Sequence, residues 1–114
     1  MSLTFTTHVL NGTDGTHAAG VRLRLCAGAS ELAAGVTDAS GRLRCEIAVE
    51  ALPADGAVTL EIDTAPFWRD RGIPRQGPQI VAGLAIRLSL PQGPGHHHVP
   101  VMLSPNAFSA WWSA

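Results

Sequence analysis

Polar and apolar residues alternate one for one over short runs, and each run ends in a cluster rich in glycine, proline, asparagine or aspartate. Val21-Arg22-Leu23-Arg24-Leu25-Cys26 and Arg42-Leu43-Arg44-Cys45-Glu46-Ile47 are the clearest cases. A period of two puts successive side chains on opposite faces of a strand, so each run offers one face to a core and the other to water or a site. The opening run, residues 3–10, has Leu3, Phe5 and Val9 on the apolar side and Thr4, Thr6 and His8 on the other. Turn chemistry at 11–15, 37–41, 53–56 and 91–95 separates further runs at 31–36, around Val58, Leu60 and Ile62, at 80–90 and at 96–104, with a last run at 107–112. Only 65–72 breaks the rhythm, and a proline near its start with a glycine at its end suits one short helix. About eight short strands with turns between them predict an all-β fold, a two-sheet antiparallel β-sandwich with one short helix.

The 114 residues suit a single domain, 1–114, with a modest core. Hydrophobic residues at 46% against charged residues at 15% argue against disorder, and so little charge implies that another subunit covers part of the surface. A formal net charge of −1 gives no electrostatic basis for binding nucleic acid or an anionic membrane. No apolar run reaches the roughly 18 residues of a membrane span, and the N-terminus lacks the layout of a signal peptide. The expectation is therefore a cytoplasmic protein. Cys26 and Cys45 lie in strand-like runs without CxxC spacing; they read as small buried thiols, although a disulfide between them stays open.

The stretch that carries chemistry is His96-His97-His98-Val99-Pro100-Val101-Met102-Leu103-Ser104-Pro105. Alternation puts His96, His98, Pro100 and Met102 on one face, and His97, Val99, Val101 and Leu103 on the other. Three histidines exceed what a core needs. His98 is expected to face a polar site shared with His8 and Arg42. Zinc accepts three histidines, but adjacent strand residues point to opposite faces, so only His96 and His98, with His8, suit a shared metal. The preferred reading has no metal and no cofactor.

Three segments, residues 7–10, 37–42 and 96–105, occur in an order and at separations that resemble the transthyretin-like family, in its 5-hydroxyisourate hydrolase branch. Residues 60–68 also look like the family's strand leading into its short helix. The resemblance covers nearly the whole chain. It implies a prealbumin-like sandwich whose sheets pair edge to edge into dimers, a homotetramer built as a dimer of dimers, and active sites in the channel between dimers. By the same resemblance the catalytic set falls on His8, Arg42 and His98. The tail departs from the pattern, since Trp111-Trp112-Ser113-Ala114 stands where the hydrolases end Tyr-Arg-Gly-Ser. Trp111, Trp112 and Ser113 are nonetheless expected to line the substrate pocket. His97 stands where the family has tyrosine.

The reaction the resemblance implies is the opening by water of a cyclic amide in 5-hydroxyisourate, a small planar heterocycle of urate breakdown. Histidine suits the base because its ordinary pKa of about 6.5 lets it accept a proton near neutrality. Arginine keeps its charge and offers a fixed fork of donors to carbonyl oxygens. No serine or cysteine stands out as a nucleophile, so no covalent intermediate is expected. Two other readings compete. One is a related enzyme acting on a different small cyclic substrate; the other is a non-enzymatic binder whose tryptophans stack on an aromatic ligand.

Overall fold

The structure, a computed structural model, describes residues 1–113 of the 114. Among these, the chain forms β1 (Ser2–Asn11), β2 (Arg22–Ala27), β3 (Ser30–Val36), β4 (Arg42–Ala48), β5 (Ala57–Asp63), α1 (Ala65–Asp70), β6 (Gly83–Ser89), β7 (His96–Ser104) and β8 (Ala107–Ala110), with a single 3₁₀ turn at Val49–Ala51. Two four-stranded sheets result, ordered β4-β1-β7-β8 and β3-β2-β5-β6. No helix among the described residues is long and apolar enough to cross a membrane.

The alternating pattern sorts the side chains as expected. Leu3, Phe5 and Val9 of β1 and Val99, Val101 and Leu103 of β7 are buried against Leu23, Leu25, Val58, Leu60 and Ile62 of the second sheet. Trp68, on α1, is fully buried at the edge of this core, and Phe67 meets it edge-on with ring centroids 5.0 Å apart. The Arg71 guanidinium covers the other side of the helix start, lying 3.4 Å from the Phe67 ring centroid.

The structure refines the expectation in four places. All but one of the strand pairings are antiparallel; the exception joins the two central strands of the first sheet, where β1 runs parallel to β7. The strand expected at 80–90 begins only at Gly83, because the Ile80 and Val81 amides donate to the Asn106 side chain instead of to a neighbouring strand. The last strand ends at Ala110, three residues before the end of the described chain, although the backbone continues alongside β7. Cys26 and Cys45 carry free thiols.

One turn positions the start of β4 and depends on glycine. Asp38 Oδ1 accepts hydrogen bonds from the Ser40 and Arg42 amides at 2.9 and 3.0 Å, and the Val9 amide donates to the Gly41 carbonyl at 2.7 Å. Gly41 has φ of 73°, and a Cβ there would stand 2.5 Å from the Val9 carbonyl oxygen. Gly72 has a comparable φ of 64° but open space around it. Gly41→Ala is therefore expected to cost about 3 kcal/mol or more, from backbone strain plus collision. Gly72→Ala should cost only the strain, about 1 kcal/mol. Thermal melts of the two variants side by side check the difference, and equal losses would show that the close approach of β1 to this turn is not held.

Candidate functional site

Strand register assembles the polar face of the first sheet. β4 runs antiparallel to β1 with His8 opposite Arg42, Thr6 opposite Arg44 and Thr4 opposite Glu46. β7 runs parallel to β1 with Thr4 beside His96, Thr6 beside His98 and His8 beside Pro100. Paired residues share a face, so the outward surface carries three adjacent rows: Glu46-Thr4-His96, Arg44-Thr6-His98 and Arg42-His8-Pro100. The buried row between them, Phe5 and Thr7 on β1 with Val99 on β7, faces the core. His97 is half-buried and lies opposite Phe5.

These rows floor a cleft of about 580 Å³ lined by Arg42, Arg44, Thr6, His96, His98 and Ser113, with Asp38, Thr7 and Leu43 at its edges. Thr6 is its hub. Its Oγ1 lies 2.7 Å from His96 Nε2 and 2.8 Å from His98 Nδ1. His8 stands one row over and does not line the cleft; its Nε2 is 3.0 Å from Nδ1 of His17, and the two rings are tilted with centroids 5.1 Å apart. Among the described residues no three His, Cys, Asp or Glu side chains come together as a metal would require. One ring nitrogen of each of these histidines is engaged, His96 Nε2 and His98 Nδ1 with Thr6 and His8 Nε2 with His17.

Both inner histidines are held toward the neutral form. Partial burial lowers the pKa of His98 from its ordinary 6.5, and the charge of Arg42 and the neighbouring His96 lower it further, while a hydrogen bond to the Thr6 backbone opposes them. His8 is lowered by burial first, then by Arg42, His17 and His98, with a backbone hydrogen bond to Ser40 acting the other way. Asp38 is lowered chiefly by the Arg42 amide it accepts from, so it stays anionic at the rim. Neutral imidazoles beside a fixed cation are proton acceptors near neutral pH. The two arginines differ. Arg44 pairs with Glu46 at 3.0 Å, whereas none of the ion pairs among the described residues involves Arg42, whose donors remain available to a ligand.

Of the residues expected at a site, Arg42, His98 and Ser113 line the one cleft, and His8 adjoins it. The Ser113 amide donates to the His98 carbonyl at 2.9 Å and the Trp111 amide to that of Pro100 at 3.2 Å, so the tail lies antiparallel to β7. That register puts Trp111 and Ser113 on the His98 side and Trp112, between them, on the opposite side. Both tryptophans were expected to line the substrate pocket, and two consecutive residues of an extended chain do not share a face. Neither indole lines the cleft; Trp111 is 45% exposed and Trp112 66%. Ala114 lies outside the described residues. Thr6, His17 and Arg44 join the arrangement without having been singled out as site residues, and His96, considered only as a possible metal ligand, joins it as a partner of Thr6. Alternation alone put Thr6 on the His8 face, but nothing in the local pattern pointed to His17.

The family model described as HIUase/Transthyretin matches residues 5–112, from β1 through the tail. The chain belongs to the HIUase/Transthyretin family. Among curated members, the 5-hydroxyisourate hydrolase of Halalkalibacterium halodurans is 31% identical over 97% of this chain and 98% of its own length. That of Caulobacter vibrioides is 34% identical over 93% and 94%. Among solved structures, the Klebsiella pneumoniae 5-hydroxyisourate hydrolase superposes with a TM-score of 0.78 at 27% identity, covering 97% of this chain and 99% of that one. Transthyretin from Sparus aurata gives 0.77 at 26% identity, covering 96% and 95%.

The lowered pKa values fix a sign. Around pH 6 the unfolded chain binds more protons at His8 and His98 than the folded one, so acidification through that range lowers stability. In an NMR titration both imidazoles should show midpoints below 6.5, and Arg42→Gln should move both upward by removing a shared positive neighbour. Midpoints that stay put would mean that Arg42 does not act on them.

Proposed function

We propose that this chain is a 5-hydroxyisourate hydrolase-type enzyme of purine breakdown, using a histidine base and an arginine clamp to open a cyclic amide with water. The observation that carries the reading is the cleft in which His98, held toward its neutral form, and Arg42, in no ion pair among the described residues, stand together, in a chain whose curated relatives bear that enzyme's name. Nε2 of His98, the ring nitrogen not engaged by Thr6, takes a proton as the water oxygen bonds to the carbonyl carbon. Arg42 holds the carbonyl oxygen as it becomes anionic. His8, kept neutral beside Arg42, orients the water from the adjoining row. The ring carbon–nitrogen bond then breaks, its electron pair going to nitrogen, which takes up the proton His98 holds.

General base catalysis contributes roughly 10²–10⁴-fold, and a placed donor to the oxyanion about 10²–10³-fold. His98→Ala and Arg42→Ala should each slow turnover of freshly generated 5-hydroxyisourate by about 10² or more, followed as ultraviolet decay above the spontaneous rate. Wild-type protein that leaves this decay at the spontaneous rate would sink the reading. The binder reading would then gain, because Trp111 is partly exposed on the side of the cleft and a relative, sea bream transthyretin, has been solved in complex with thyroxine.

The same reading takes the working form to be a homotetramer. β8 is an open sheet edge, and Met102, Phe108, Trp111 and Trp112 are exposed on it or beside it. An apolar edge of this kind associates unless it is covered. Light scattering should give four times 11.9 kDa, and Phe108→Arg should lower it; a monomer in the wild type would rule the assembly out.

A further inference from the structure

The Thr6 hydroxyl has one proton and two histidine nitrogens facing it, His98 Nδ1 at 2.8 Å and His96 Nε2 at 2.7 Å. It can donate to only one of them, and the arrangement that uses its proton within the trio donates to one nitrogen and accepts from the other. The hydrogen bonds therefore run in a single direction along the chain of three residues, and that direction decides which nitrogen of His98 is bare. We infer that Thr6 and the exposed His96 are positioning residues that fix His98 in the tautomer with its proton on Nδ1, leaving Nε2 free as the base. In this arrangement His98 Nδ1–H donates to Thr6 Oγ1, the Thr6 hydroxyl donates to His96 Nε2, and His96 keeps its own proton on Nδ1. The inference rests on the base role proposed for His98, and adds what makes that role possible.

The exposure of His96 favours this direction over the reverse. His96 is exposed, and its far nitrogen exchanges protons with water without disturbing the cleft. The other groups facing His98 are Arg42 and Arg44 on β4, His8 on β1, Asp38 in the preceding turn and Ser113 of the tail. None of them offers Nδ1 a competing acceptor among the hydrogen bonds of the described residues.

The test compares wild type with Thr6→Val, which keeps the β-branched shape, and Thr6→Ser, which restores the hydroxyl. Long-range ¹⁵N spectra read the tautomers directly and need no turnover. Wild type and Thr6→Ser should show His98 protonated on Nδ1 at pH 8, with Thr6→Val shifted toward Nε2–H. Kinetically, Thr6→Val should lose about tenfold or more in kcat with KM nearly unchanged, a fraction of the roughly 10²–10⁴ that a general base supplies, and Thr6→Ser should recover it. His98 found as Nε2–H in wild type, or unchanged in Thr6→Val, overturns the inference. Wild-type protein inactive on 5-hydroxyisourate would instead count against the proposed reaction, and the tautomer measurement would still decide this point.

Discussion

The parallel ladder between β1 and β7 is the constraint on which core and cleft both depend. It pairs residues 4–11 with 96–103, so its closure waits on nearly the whole chain between them, including the entire second sheet. Such a pairing gains little from local contacts and must be held by what it buries. Leu3, Phe5, Val9, Val99, Val101 and Leu103 are each at most 4% exposed, and fully burying a side chain of this size contributes about 1.5–3 kcal/mol. A slip by one residue would expose this whole row and drive Thr6, His8 and His98 into the core. The apolar row therefore sets the register, and the polar row is positioned as its consequence. The cleft needs no separate scaffold.

Within that frame, charge pairing decides which arginine is available. Arg42 and Arg44 point to the same side of β4, one pleat apart. Arg44 is neutralised by Glu46, which also accepts from Thr4 at 2.9 and 3.0 Å, so the far end of the polar face is closed on itself. Among the described residues Arg42 lies beside His8 and His98, with the Asp38 carboxylate, which accepts from backbone amides, at the rim. Burial first, and then the charge of Arg42, lower the pKa of both His8 and His98 and hold them toward the neutral form. The cation offered to a ligand thus also contributes to the neutrality of the bases.

Much of this was legible in the sequence because alternation is a local property. It sorted Leu3, Phe5 and Val9 from Thr4, Thr6 and His8 without any knowledge of partners, and the spacing of turns gave the sandwich. Pairing is not local. Consecutive strands joined by tight turns suggest antiparallel neighbours throughout, and nothing within residues 2–11 or 96–104 announces that they run side by side in the same direction. His17 was missed for a related reason. It lies in no periodic run, and it reaches His8 only because the loop after β1 folds back to form an isolated bridge with Leu10. Ile80 and Val81 looked like strand because they are β-branched, but a side-chain acceptor, Asn106, satisfied their amides first.

The altered tail bears on the cleft less than four changed letters suggest, and the reason is again register. Backbone bonds from Trp111 to Pro100 and from Ser113 to His98 align the tail, and backbone bonds are indifferent to side-chain identity. Ser113 reaches the cleft because it pairs with His98, not because it is serine. Trp112, at the position where the resemblance expects arginine, falls on the opposite parity, so an arginine there would lead away from the cleft as the tryptophan does. Only Trp111 and Ser113 share the His98 side. A tail substituted at both would still be held along β7 by the same ladder, with Ser113 reaching a cleft whose floor is set elsewhere and Trp111 on the same side outside its lining.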